Sequence, residues 1–118
     1  MERKYRILKK KDFQTTLKSK NQKIYSQNFV LYFLKTENQN IRFGYIIPKK
    51  FFKKAVIRNY YRRVTDNCIY QFKSFDELPT YNCVLYFKKE FAEIKPDYKN
   101  LKKEINKILF NFIKTIKR

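Results

Sequence analysis

The sequence contains no histidine and no tryptophan, one glycine, three prolines and two cysteines in 118 residues. Without histidine, imidazole general-base catalysis and His–metal coordination are excluded. Cys68 and Cys83 lie far apart without CxxC spacing, so they make neither a zinc site nor a disulfide scaffold. They read as reduced thiols that fill a core. Acids are scarce too: ten Asp and Glu against 29 Lys and Arg. A nuclease acting alone needs a base or carboxylates that hold metal ions. Only Asp76/Glu77 and Glu90/Glu93 are near neighbours, both in expected surface connections, so no catalytic residue and no metal ligand is assigned to the chain. No apolar run reaches the ~18 residues of a membrane span. Charges crowd Glu2 to Arg6, so no secretory leader, no membrane association and a cytoplasmic location are expected.

What is present is positive charge. The formal net charge is +19. Such self-repulsion opposes a compact state, and the natural counter-charge at this density is a polyphosphate backbone. The basic residues run through the whole chain rather than forming a tail. Aromatic residues are plentiful, with 12 Phe and 10 Tyr, and hydrophobic residues reach 43%. That suffices for one core, and the length predicts a single domain over residues 1–118.

The apolar pattern gives the elements. Lys9 to Ser19 reads as a short helix, with Phe13 and Leu17 on one face. Lys23 to Tyr25 reads as a short strand. Phe29 to Leu34 is a strand by its aromatic and β-branched content, with Phe29, Leu31 and Phe33 on one face and Val30, Tyr32 and Leu34 on the other. Polar Glu37 to Asn40 reads as a hairpin turn into a second strand, Ile41 to Ile47. Lys53 to Phe72 reads as a long helix whose apolar arc holds Ile57, Tyr61, Val64, Cys68 and Phe72. Tyr81 to Phe87 is an almost continuous apolar run, as in a strand buried on both faces. Lys88 to Pro96 reads as a polar connection, and Asp97 as the cap of a last amphipathic helix. Helix, strands, helix, strand, helix spells an α+β or α/β sandwich with one small sheet.

The richest stretch runs from Pro48 to Arg63. Lys49, Lys50, Lys53 and Lys54 gather at a helix start, where the macrodipole favours anions. A bound phosphate accounts for them better than stability does. Arg58 and Arg62 line up one turn apart, as do Asn59 and Arg63, at a spacing that grips successive phosphates. A solvated basic face is the plainer reading. On the sheet, Tyr32 offers a ring opposite the core residues, with Gly44 leaving room on the adjoining strand. Exposed aromatics flanked by cations hold single strands without reading their sequence. Phe13 is either a partner in such a groove or a core anchor.

Lys49-Lys50 followed by Ala55-Val56-Ile57-Arg58-Asn59-x-x-Arg62-Arg63 resembles the signature of the bacterial ribonuclease P protein component. Leu8-x-x-x-Asp12-Phe13 looks like that family's opening. Phe29-Val30-Leu31-Tyr32 and Arg42-Phe43-Gly44-Tyr45 look like its first long strands. The chain departs from the family pattern at Tyr60, where Arg is usual, and at Leu17, where many members have a second aromatic.

The resemblance implies an α+β two-layer sandwich of order α-β-β-β-α-β-α, similar to a domain of a small-subunit ribosomal protein, with a left-handed βαβ crossover. It also implies a job in which a catalytic RNA removes the 5′ leader of precursor tRNA as a ribonucleoprotein endonuclease. This chain would be the accessory subunit. Its RNA-binding residues would be Lys49, Lys50, Lys53, Lys54, Arg58, Asn59, Arg62 and Arg63. Its 5′-leader-binding residues would be Phe13, Leu17, Val30 and Tyr32. Mg²⁺ would be held mainly by RNA. The partners would be the catalytic RNA and precursor tRNA, with no obligate protein partner. A structural, ribosomal-type RNA-binding protein without a role in cleavage remains the alternative, and a membrane-surface or DNA-compacting protein a more distant one.

Overall fold

A computed structural model describes residues 6–7, 9–18, 22–37, 41–71, 80–93 and 98–117. Its elements are α1 (Lys10–Leu17), β1 (Lys23–Tyr25), β2 (Phe29–Lys35), β3 (Arg42–Ile46), α2 (Ala55–Tyr70), β4 (Tyr81–Phe87) and α3 (Tyr98–Ile116). The order is α-β-β-β-α-β-α, as expected. α1 and α2 are slightly shorter than their apolar patterns suggest, and α3 runs to Ile116 as expected. Lys53 and Lys54 precede α2, and Lys54 is its N-cap, with extended backbone and no side-chain cap. Phe72 and the expected cap Asp97 lie outside the described residues.

The strands form one sheet in the order β1-β2-β4-β3. β2 and β4 are antiparallel over their full length, from Phe29 opposite Phe87 to Lys35 opposite Tyr81. β3 and β4 are parallel, from Arg42 beside Asn82 to Ile46 beside Tyr86. This corrects one expectation: β2 and β3 are not a hairpin, because β4 lies between them. Residues 38–40 of the supposed turn are outside the described set. The physical reason lies in β4 itself. Cys83, Val84, Leu85 and Phe87 are all at most 2% exposed, and only an interior strand, covered on both faces, can bury such a run. β3 takes the edge, where Arg6 adds a parallel bridge to Phe43 and the Ile7 N–H donates to the Phe43 carbonyl at 2.9 Å.

The inner face of the sheet carries the core. Phe29, Leu31 and Phe33 of β2 and Cys83, Leu85 and Phe87 of β4 pack with Tyr61, Val64, Cys68 and Ile69 of α2. Leu101, Ile105, Ile108, Leu109 and Phe112 of α3 complete it. Edge-on and tilted ring pairs, the arrangement that aromatic quadrupoles favour, join Phe29, Phe52, Phe87 and Phe91. Phe91 is a second correction. The stretch expected to be a polar connection holds a short 3₁₀ helix, Lys89–Glu93, and inserts this ring into the core, 5.0 Å from Tyr61.

α1 lies on the opposite face. The Cβ direction of Gly44 points straight into the Phe13 ring. Gly44 pairs with Val84, and Val84 with Tyr32, so all three share that outer face. Within α1 the Thr15 and Thr16 hydroxyls donate to the carbonyls four residues back, of Lys11 and Asp12. A buried Thr16 can sit against the sheet because its hydroxyl is satisfied in this way.

Candidate RNA interface

The approach to α2 is built on Pro48, whose carbonyl accepts from the N–H groups of Phe51 and Phe52 at 3.1 and 2.9 Å. This turn exposes Lys49 and Lys50 and buries Phe52 beneath them. Lys53 and Lys54 follow, both exposed. No acidic residue stands in the first turn of α2. Four ammonium groups therefore meet the positive end of the helix dipole with no carboxylate from that turn to offset them, an arrangement that favours a bound anion.

Arg58 does not project as a free clamp. Its Nη1 donates to the Phe52 carbonyl at 2.7 Å and to the Lys53 carbonyl at 3.0 Å. The guanidinium thereby ties the lysine-bearing loop to the first turn of the helix. Asn59 also has a partner within the helix: the Arg62 Nη1 donates to its Oδ1 at 3.0 Å, three residues apart. Asn59, Arg62 and Arg63 are exposed, so the outward ridge consists of these three, with Arg58 as its footing. Tyr60 is half-buried, its ring 5.8 Å from that of Tyr61.

Of the four residues expected in the second site, three are partly open to solvent. Phe13 is half-buried against Gly44, Leu17 is half-buried, and Tyr32 is half-buried with the Lys23 ammonium 5.4 Å from its ring centre. Val30 is different. It is only 6% exposed, although the strand alternation puts it on the outer face with Tyr32. Phe13 likewise anchors α1 on the outer face and takes no part in the inner core.

Between these two regions lies a cavity of about 290 Å³, lined by Arg6, Phe13, Gly44, Tyr45, Arg62 and Asp66. It runs along the β3 edge and brings the α1 side of the sheet to the Arg62 ridge. The Tyr45 hydroxyl donates to Asp66 Oδ1 at 2.6 Å. Burial first, and then this bond to a carboxylate, push the Tyr45 phenol well above its ordinary range. Arg6 and Tyr45 had no signal in sequence as site residues, since only the strand bridge and the sheet edge bring them here.

No group of three His, Cys, Asp or Glu side chains that could hold a metal ion exists among the described residues. Nor is any described helix long and apolar enough to cross a membrane.

A family model described as ribonuclease P matches residues 1–112. Among similar proteins, the ribonuclease P protein component of Streptococcus agalactiae is 30% identical over 109 residues, covering 92% of this chain and 94% of its own. That of Mycoplasma mobile is 32% identical, covering 92% and 90%. That of Ureaplasma parvum reaches 46% over 58 residues, about half of each chain. Among solved structures, the RNase P protein of Staphylococcus aureus superimposes with a TM-score of 0.76 at 22% identity, covering 95% of this chain and 96% of that one. The Thermotoga maritima protein gives 0.73 at 24%, covering 94% and 96%. At those identities the two superpositions speak to the fold.

Proposed function

The chain belongs to the bacterial ribonuclease P protein family, and from that premise we propose how its two surfaces divide the work of a subunit that is accessory to RNA in the 5′ maturation of tRNA. The basic surface of Lys49, Lys50, Lys53, Lys54, Asn59, Arg62 and Arg63 docks on the phosphates of the catalytic RNA. Arg58 holds that surface in shape through the Phe52 and Lys53 carbonyls. The outer-face groove receives the single-stranded 5′ leader of precursor tRNA. Tyr32 stacks a base there, Lys23 meets the phosphate beside it, and Phe13 and Leu17 form the α1 wall. Val30 supports Tyr32 from the floor.

The observation that carries this reading is the Lys23–Tyr32 pair, a ring and an ammonium on one sheet face, opposite the core and open beside α1. Rings with flanking cations suit single strands of any sequence. Mg²⁺ belongs to the RNA. RNA phosphate oxygens are the hard ligands this cation prefers, while Asp66 is engaged by Tyr45 and Glu104 by Ser26 and Asn28. The chain's own residues bind and orient RNA.

The test uses reconstituted holoenzyme. Tyr32→Ala removes a stacking surface that mature tRNA, lacking a leader, never meets. Affinity for precursor tRNA should fall by about 1–3 kcal/mol, roughly 5- to 150-fold. Affinity for mature tRNA and single-turnover cleavage at saturating substrate should stay near wild type. Equal losses for both RNAs would remove Tyr32 from the leader site.

A further inference from the structure

A second aromatic–basic cleft lies at the far edge of the sheet from α2. It has a volume of about 390 Å³ and opens between the turn after β1 and the outer side of α3. Its α3 wall is a stripe at three- and four-residue spacing: Asn100, Lys103, Lys107 and Asn111. Its other wall includes Tyr25 and Gln27.

Three features make it a built site rather than a gap between elements. The turn is fixed to the helix by Glu104, whose carboxylate accepts from the Ser26 hydroxyl at 2.6 Å, the Asn28 N–H at 2.9 Å and the Asn28 side-chain amide at 2.8 Å. Those bonds use both oxygens of the one acid in the lining. Tyr25 is 65% exposed, a position where a large ring gains little from folding. The Lys88 ammonium donates to the Ser26 carbonyl at 3.0 Å and lies 5.8 Å from the centre of the Tyr25 ring. An exposed ring, a fixed cation beside it and two further ammonium groups across the cleft repeat the chemistry of the Lys23–Tyr32 pair.

The register connects the two places. Tyr25 pairs with Val30 and Lys23 with Tyr32, so Tyr25, Lys23 and Tyr32 all belong to the outer face. Adjacent strands are only ~4.8 Å apart. A single strand stacked on Tyr32 reaches the edge of the sheet at Lys23 after one strand spacing, meets Tyr25 two residues (~7 Å) further along β1 on the same face, and can turn round the edge onto Lys103 and Lys107.

We infer that this cleft is a second single-stranded RNA site, which takes the upstream nucleotides of the leader after they leave the groove beside α1. Tyr25 stacks one base, and Lys103 and Lys107 neutralise the phosphates that follow. The inference rests on the reading of the outer face as the leader groove and extends it round the β1 edge.

Leader length tests it, since single-strand grooves commonly engage ~4–16 nucleotides. The probes are precursor tRNAs with a short leader of about 4 nucleotides and a long leader of about 12, bound to reconstituted holoenzyme. Tyr25→Ala should weaken the long-leader RNA by roughly 5- to 150-fold and leave the short one unchanged. Tyr25→Phe keeps the ring and should restore wild-type affinity. Lys103→Gln combined with Lys107→Gln should make the salt dependence for the long leader shallower by about 1.4, at ~0.7 per single-strand phosphate. All three side chains are exposed, so the thermal midpoint should not move. Equal loss on both leaders, no loss on the long one, or a Tyr25→Phe variant as weak as Tyr25→Ala would overturn the inference. Tyr32→Ala separates this from the groove: it should weaken both leaders. If it weakens neither while the Tyr25 effect holds, the groove reading falls and the cleft stands; if only the Tyr25 effect is missing, the cleft alone falls.

Discussion

Gly44→Ala should destabilise the protein, and the size of the effect depends on one ring. A methyl group at Gly44 would lie against the Phe13 ring, far closer than carbon atoms pack, with the two outer ring atoms taking the overlap. Relief needs the ring to withdraw by roughly 1 Å to reach the ~3.5–4.0 Å of ordinary contact. Two terms compete. Replacing glycine inside a strand returns about 0.5–1 kcal/mol of backbone entropy. Overpacking costs about 1–3 kcal/mol, with the half-buried Phe13 ring taking the displacement. The net loss should be up to about 2 kcal/mol, a fall in thermal midpoint of a few degrees for a chain of this size. The decisive measurement is the same substitution in a Phe13→Leu background. Without the ring edge the clash is gone, and Gly44→Ala should become neutral or stabilising. A double-mutant cycle by urea denaturation reads this directly. If Gly44→Ala costs the same in both backgrounds, the ring does not press on the glycine, and the placement of α1 over β3 is wrong.

Two further outcomes follow from the geometry. Arg58→Lys keeps the charge but loses the fork to two carbonyls, so it should lower stability by roughly 1 kcal/mol. Arg62→Lys should leave stability unchanged and weaken only RNA binding. Thermal melts of both variants without RNA check this, and an Arg58→Lys midpoint equal to wild type would show that the loop does not depend on Arg58. Stability should also fall in alkali: burial pushes the Cys68 thiol from its ordinary 9.0 up to about 11, with Lys102 opposing, and raises Cys83 and Tyr45 too. Groups whose folded value is raised contribute stability that is complete below the unfolded value and lost as pH climbs through the folded one. The denaturation midpoint should therefore hold up to about pH 9 and decline towards pH 11, less so in Cys68→Ala; a flat profile would refute it.

The strands were legible where burial leaves its mark on every residue. The run from Tyr81 to Phe87 reads as doubly covered because it is, and the alternation in Phe29 to Leu34 places Phe29, Leu31 and Phe33 in the core. What local pattern cannot carry is adjacency. A polar stretch between two strands looks the same whether they pair directly or admit a third between them. Here the third strand arrives only after α2, more than 30 residues later, and the hairpin reading failed for that reason. Phe91 was missed in a related way. One ring among charged neighbours has no period, and only the 3₁₀ turn aims it at Tyr61.

At the site the limits fall on individual donors. Sequence spacing aligns Arg58 with Arg62 on one helix face, yet the backbone carbonyls of the preceding loop compete for the guanidinium, and at 2.7 Å Phe52 wins it. A residue within reach of two carbonyl oxygens cannot be assigned to phosphate from its position on a helical wheel. Val30 shows a different limit: alternation gives its face, the outer one shared with Tyr32, but says nothing of its burial, which leaves it only 6% exposed. Tyr32 stays half-open, with Lys23 opposite it on β1. α1 is an eight-residue helix seated on the outer face of the sheet, where Gly44 leaves space for Phe13. With a larger residue at position 44, the Phe13 ring would have to withdraw and α1 would sit less closely on the sheet. The sole glycine of the chain sits where the Phe13 ring needs the space, although its backbone conformation makes no demand for glycine.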